Sequence, residues 1–350
     1  MKAVKLIEGK APLEIVDEEH RDPNEDEVLV KVAGCGVCHT DIGFWQDGVP
    51  TKKGLPLTLG HEISGTVVSA GAKFEGLKDK QVIIPAVIPC GECALCKSGR
   101  GNVCRAQLMP GNDMDGGFAE YIVTPGRGLC LVDGLSDYEL PELSVIADAV
   151  TTPYQAIIRS GLQPGELAIV IGVGGVGTYC VQIAAAFGAK VIAIDVDQSK
   201  LDAVTDYGAD LTINSGEGDF KAIKGQIKAA TKEWGVPGHS WKIYECSGHP
   251  GGQDTAFGLV TFASTMMVIG FTLAKTQVRL SNLMAFDANV QGTWGCKPEL
   301  YPEALKMVTG GKITLKPFIQ TFPMSQGPDI IQQVSDHKID KRAILVPDWD

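Results

Sequence analysis

The chain has 350 residues, 44% of them apolar, and a formal net charge of −11. That length exceeds what a single core serves, so two lobes are expected, and the surplus of carboxylates excludes generic binding to nucleic acid or an anionic membrane, where lysine and arginine would have to neutralise phosphates. Ten cysteines accompany an opening stretch, MKAVKLIEGKAPLEIV, whose apolar residues are interrupted by Lys2, Lys5, Glu8, Lys10 and Glu14, a pattern without an export signal that implies a reducing, cytoplasmic setting and thiolate ligands over crosslinks.

From residue 1 to about 150, short β-rich runs such as EVLVKVAGCG, SGTVVSAG and QVIIPAV are separated by glycine and proline turns, which predicts a compact, mostly β domain. Cys38 in GCGVCHTD and His61 in LGHE lie within it. Taken alone, either is uninformative, since a lone cysteine or histidine is usually a packed core or surface residue. Further on, Cys90, Cys93, Cys96 and Cys104 stand in PCGECALCKSGRGNVC with two, two and seven residues between them. This is the spacing of a loop, about residues 88–106, folded around one tetrahedral zinc. Four thiolates close the coordination shell, so such an ion holds a lobe in shape and performs no chemistry. Its binding is worth about 10–16 kcal/mol in small model systems, enough to order a loop that burial cannot. Chance clustering of buried or crosslinked cysteines is the alternative.

A second lobe is expected over residues 151–285. From Leu167 to Lys190 the chain reads LAIVIGVGGVGTYCVQIAAAFGAK, long and apolar enough to meet the simplest membrane criterion. Its glycines point instead to strand, tight turn and helix: Gly172, Gly174, Gly175, Val176 and Gly177 separate the β-branched run Ile169–Ile171 from a helical segment. GVGGVG fits the dinucleotide fingerprint, with the pyrophosphate at the helix N-terminus. The next strand, KVIAID, ends in Asp195, placed to accept hydrogen bonds from an adenosine ribose and to repel a 2′-phosphate, so NAD is expected over NADP. Lys200 is close enough to touch that ribose or is simply solvated, and Asp197 reads as surface. LTINS, WKIYECSG and TMMVIGF continue the β-then-α alternation of a doubly wound parallel sheet. QGTWG could form its edge.

In this order, GCGVCHTD, GHE, the four-cysteine lobe, GVGGVG with Asp195 and the closing KRAIL resemble the zinc-dependent medium-chain dehydrogenases over nearly the whole chain. The resemblance implies an α/β fold, a Rossmann sheet plus a GroES-like catalytic domain to which residues 286–350 return, and two zinc ions per chain. It implies Cys38, His61 and Asp148 as ligands of a catalytic zinc, with Glu62 beside it. Thr40 would take the substrate proton, His39 would face cofactor phosphate, and Arg342, next to Lys341, would reach the pyrophosphate. Many relatives continue the proton relay through a histidine where this chain has Gly43. A thiolate, a neutral imidazole and a carboxylate offset the 2+ ion, and open zinc sites lower the pKa of bound water to about 7, so a bound alcohol can lose its proton. Pairing of subunits through the sheet edge, giving a dimer or tetramer, is also implied.

A narrower resemblance, in PAVIPCGECALCKSGRG, CRAQLMPGNDMDGGFAEYIV, DAVTTPYQA, YECSG and NLMAFDANVQGTWGC, is to members acting on a cyclic hydroxyacyl-CoA. Lys52, Lys53, Arg127 and Lys297 are then candidates to receive its phosphates. Asn112, Asp113 and Met114 could line the substrate side of the zinc, and Phe44 and Trp45 are either walls of a ring pocket or core. Two other readings remain: the same chemistry on a free cyclic or polyol alcohol, and a non-catalytic protein whose cysteine lobe grips a partner. The acidic balance and the fingerprint with Asp195 count against the last.

Overall fold

The computed structural model describes residues 1–349. They form two units, one of residues 1–151, 295–311 and 315 onward, the other of residues 152–294 and 312–314.

The first unit is built on β-strands that alternate or run apolar. β1 (Lys2–Leu6) pairs antiparallel with β2 (Glu14–Asp17) and with β4 (Leu57–Thr58) in a small sheet. The larger sheet is centred on the long β3 (Glu27–Gly36), which pairs antiparallel with β5 (Glu62–Ala70) and with β7 (Tyr121–Pro125); β5 continues to β6 (Gln81–Ile84) and β6 to β8 (Cys130–Leu131). Register shifts at Leu29/Val30 and Val32/Gly34 bend β3, which lets one strand serve three partners. Val28, Val30 and Val32 pack with Ile63, Val67, Val82 and Ile84 in the core. Phe44 and Trp45 belong to that core as well, and the Trp45 indole N–H donates to the Ala11 carbonyl.

The second unit is the doubly wound sheet. β9 (Leu167–Ile171), β10 (Lys190–Asp195), β11 (Leu211–Asn214), β12 (Lys242–Glu245), β13 (Thr265–Val268) and β14 (Asn289–Gly292) are all parallel, in the order β11-β10-β9-β12-β13-β14. β9, LAIVI, is buried along its whole length, as a central parallel strand covered on both faces should be. The apolar run that mimicked a membrane span is thus a buried strand followed by the helix Gly177–Ala186, and no helix among the described residues is long and apolar enough to cross a membrane. The return to the first unit was expected near residue 286 and falls at Gly295, because the sheet takes up one more strand, β14, whose backbone pairs with β13. The chain ends on β15 (Ile319–Pro323) and β16 (Arg342–Val346), with β16 parallel to β15 and antiparallel to β3.

Candidate metal centre and dinucleotide turn

Strand register assembles the first site. Gly36, the last residue of β3, pairs with Glu62, the first of β5. Cys38, just after one strand, and His61, just before the other, therefore meet at the same end of the sheet. The 3-10 helix Leu140–Ala147 lies across β3 and β5, held by the Ser64 hydroxyl donating to Leu140 O at 2.6 Å, and releases Asp148 at its end. β16 completes the ring: Ile344 pairs with Gly36 and the Val37 N–H donates to Ala343 O, which sets Arg342 alongside. One ligand atom from each of Cys38, His61, Glu62 and Asp148 lies within 4.8 Å of all the others.

His61 Nε2 is 3.6 Å from Asp148 Oδ2, while Nδ1 faces Asp41 Oδ1 at 3.2 Å. Asp41, fully buried, also accepts from the Cys38 N–H at 2.9 Å and the Gly60 N–H at 3.1 Å. One carboxylate thus orients the imidazole and both ligand-bearing backbone segments, the arrangement in which a ligating histidine donates its other N–H to an acid. Asp41 was missed in the sequence, although its position three residues after Cys38, as the acidic partner of a capping box, was available as a signal. Arg342 is likewise buried: Nη2 stands 2.9 Å from Glu62 Oε1, and Nη1 donates to Val37 O. A Cβ at Gly36 would come within 2.2 Å of Glu62 Oε2, so only glycine leaves room for that carboxylate.

The electrostatics suit a cation. Burial pulls the His61 pKa down but is outweighed by Asp41 and Asp148, which hold it well above the ordinary imidazole value. Burial lifts the Glu62 carboxyl to about 7, opposed by Arg342 and aided by Asp148. Both Glu62 oxygens are buried without a hydrogen bond; the Arg342 contact meets ion-pair distance but not hydrogen-bond geometry. Orphaned buried acceptors beside a thiol, an imidazole and a second carboxylate fit a divalent ion of zinc's ligand preference. Thr40 is half-buried, its hydroxyl 3.7 Å from Cys38 Sγ. His39 is exposed and stacks on His337 with ring centroids 5.8 Å apart.

The cysteine lobe fits zinc independently. Four of the Sγ–Sγ separations are Cys90–Cys96 3.8 Å, Cys93–Cys96 3.5 Å, Cys93–Cys104 3.7 Å and Cys104–Cys90 3.5 Å. A tetrahedron with Zn–S bonds of about 2.3 Å has edges of about 3.8 Å. Backbone N–H groups of Glu92 and Cys93 lower the Cys90 thiol to about 6, whereas burial raises Cys96 to about 12. All ten cysteines are free of disulfides.

In the second unit the fingerprint turn has the expected shape. Gly172 adopts φ +83° and a Cβ there would press on the Ser247 backbone at 2.6 Å; a Cβ on Gly177 would meet Gly172 O at 1.7 Å. Gly174 faces open space, and Gly175 is exposed. Asp195 Oδ2 accepts from the Val173 N–H of that turn, and Oδ1 from the N–H groups of Val196 and Asp197. At about two lone pairs per oxygen, one acceptor position on Oδ2 is left for a ligand. Asp197 is more than surface: it caps the helix Gln198–Thr205 by accepting from Ser199 N. Lys200 lies 3.8 Å from Asp197. Of the residues considered for phosphate, Lys52 pairs with Asp113 at 2.8 Å, Lys53 with Asp115 at 3.0 Å, and Arg127 donates to Pro89 O. Asn112 accepts from Lys52 N, and Asp113 from Met109 N.

A family model described as alcohol dehydrogenase GroES-like domain matches residues 24–134, and one described as zinc-binding dehydrogenase matches residues 175–310. An alcohol dehydrogenase of Geobacillus stearothermophilus is 32% identical over 348 residues, 99% of this chain and 98% of that protein. The galactitol-1-phosphate dehydrogenase of Escherichia coli has the same fold, with a TM-score of 0.89 over 99% of this chain and 100% of that one at 24% identity. A protein assigned as a zinc-binding dehydrogenase of Sinorhizobium meliloti 1021, solved with NADP bound, is 26% identical with a TM-score of 0.86 over 99% of each chain.

Proposed function

This chain belongs to the zinc-dependent medium-chain alcohol dehydrogenase family, and we propose that within it the protein is an NAD-dependent dehydrogenase oxidising a ring hydroxyl of a cyclic hydroxyacyl-CoA, 6-hydroxycyclohex-1-ene-1-carbonyl-CoA, to the conjugated ketone. The observation that carries the alcohol-oxidising part is the convergence of the Cys38, His61, Glu62 and Asp148 ligand atoms in a chain that also bears the GVGGVG turn.

When bound, zinc supplies Lewis-acid polarisation of the substrate oxygen and NAD accepts the hydride. Cys38, His61 and Asp148 would hold the ion, with Glu62 as an alternative or additional oxygen donor. Asp41 keeps the proton of neutral His61 on Nδ1 and so leaves Nε2 to coordinate. Thr40, beside Cys38, takes the proton released by the alcohol. With Gly43 in place of a relay histidine, that proton passes on without a side chain at position 43. The turn at Gly174 and the exposed Gly175 receives the pyrophosphate, the remaining acceptor position of Asp195 binds a ribose hydroxyl, and its charge disfavours the 2′-phosphate of NADP. The structure of a relative with NADP makes this preference a matter for Asp195 itself.

The acyl-CoA substrate is supported by the resemblance of the substrate-side stretches alone. Lys52 and Lys53 are the phosphate candidates; Lys52 is exposed but pairs with the buried carboxylate of Asp113, whereas the pair of Lys53 with Asp115 is partly exposed on both sides and of a kind that holds by less than about 1 kcal/mol, so a CoA phosphate can displace it at Lys53. A free cyclic or polyol alcohol is the second reading. A panel of alcohols and hydroxyacyl-CoA esters, followed by NADH absorbance, separates them: loss of turnover when the CoA part is removed supports the first, undiminished turnover the second. Ten cysteines, four of them grouped as thiolate ligands, support a cytoplasmic, reducing setting, and the exposed sheet edge supports a homo-oligomer.

A further inference from the structure

Asp148 is delivered to the ligand cluster by the end of the 3-10 helix Leu140–Ala147, and its own backbone, at φ −141° and ψ −56°, lies outside the helical region. What fixes that exit point comes from elsewhere in the chain. The carbonyl of Ala147 accepts from two side chains, the Tyr301 hydroxyl in a short hydrogen bond and the Thr151 hydroxyl at 3.1 Å. The Tyr301 oxygen also accepts from the Ala86 N–H at 3.1 Å. Tyr301 is fully buried, and that burial pushes its phenol well above the ordinary value, so the hydroxyl remains a donor throughout the working pH range. Ala147 C=O and Asp148 N–H share one rigid peptide plane. Clamping the carbonyl from two directions therefore sets the orientation of the Asp148 backbone, and with it where the carboxylate reaches.

We propose that Tyr301 is a positioning residue for the cation site: by bridging Ala147 O and Ala86 N–H, its hydroxyl holds the Asp148 carboxylate at the distance where it meets the Cys38 and His61 ligand atoms. This rests on the reading of the Cys38–His61–Glu62–Asp148 cluster as a metal site. Tyr301 lies more than 150 residues along the chain from Ala147, in the segment that returns to the first unit, and touches no reacting atom in this role. Groups that orient ligands from behind typically change metal affinity by about 10–100-fold when removed.

The test uses the full-length zinc-loaded protein titrated with a chelator, with zinc per chain counted by metal analysis. Tyr301→Phe is expected to release the cluster's zinc at an about 10-fold lower chelator concentration, with the cysteine-lobe ion retained as in the parent. In an Asp148→Asn background, Tyr301→Phe is expected to add no further loss, because its effect passes through the missing carboxylate. Zinc retention equal to the parent in Tyr301→Phe, or an equal additional loss in the Asp148→Asn background, overturns the proposal. A parent protein that holds only the cysteine-lobe ion overturns the metal-centre reading and this proposal together, which distinguishes the two failures. Should Tyr301→Phe not accumulate folded, Thr151→Val, which removes the other donor from the same carbonyl, is read in the same titration: earlier release of the cluster's zinc supports the proposal, and parent-like retention overturns it.

Discussion

Asp41 touches Cys38 N, Gly60 N and His61 Nδ1 at once, so its replacement acts on both ligand-bearing segments and on the imidazole tautomer. Asp41→Asn keeps the volume but presents an amide where a charge supported the histidine. It is expected to weaken zinc at the cluster by about 10–100-fold, measured by chelator competition, while the cysteine-lobe ion stays in place. In the proposed reading, Asp195 repels a 2′-phosphate as well as accepting a hydrogen bond from the ribose. Asp195→Ala is expected to lower the ratio of kcat/KM for NAD over NADP by at least about 10-fold, chiefly through KM, in steady-state assays; an unchanged ratio would show that another residue reads the ribose. Arg342 illustrates how a residue's surroundings escape its sequence. A basic pair next to a terminal strand reads as solvated or cofactor-facing, and only the pairing of β16 with β3 turns Lys341 out and Arg342 in toward Glu62.

At the scale of elements, the cysteine lobe and the fingerprint turn are local, and their behaviour follows from local geometry. The N–H groups of Glu92 and Cys93 depress the Cys90 pKa to about 6, while Cys96 is raised to about 12. A folded-state thiol depressed below its unfolded value favours the folded lobe above that unfolded value, and the advantage fades as pH falls through the folded one, here about 6. In the metal-free protein Cys90 should therefore be more readily ionised at neutral pH than Cys96. Iodoacetamide labelling followed by peptide mapping is expected to modify Cys90 first and Cys96 last; equal rates would contradict the assigned backbone hydrogen bonds. In the fingerprint turn, Gly177→Ala would force a methyl to within 1.7 Å of Gly172 O. The turn must open, with a loss of about 1–3 kcal/mol in unfolding free energy and a weaker NAD affinity, measured by denaturation and by fluorescence titration.

At the scale of the whole molecule, β14 leaves one edge of the parallel sheet open, and Leu280, Met284, Val290 and Trp294 near it in sequence are exposed. An unpaired edge with apolar neighbours is a template for association. Leu280→Lys combined with Met284→Lys is expected to shift the protein toward monomer in light scattering, with the far-UV spectrum unchanged. The sequence by itself determined whatever is written in short spacings: the four-cysteine lobe, the strand–turn–helix around GVGGVG, the acidic end of KVIAID, and the β-rich character of the first 150 residues. Cys38, His61 and Asp148 were legible only through resemblance, since they are scattered along the chain and no local pattern links them. The tertiary structure alone decided that Asp41 backs His61, that Glu62 faces Arg342, that Phe44 and Trp45 fill the core, and that Tyr301 clamps the carbonyl before Asp148. Each of these depends on strand register or on contacts between distant segments, and neither composition nor periodicity carries such long-range pairing; folding supplies it by burying several segments against one another at once.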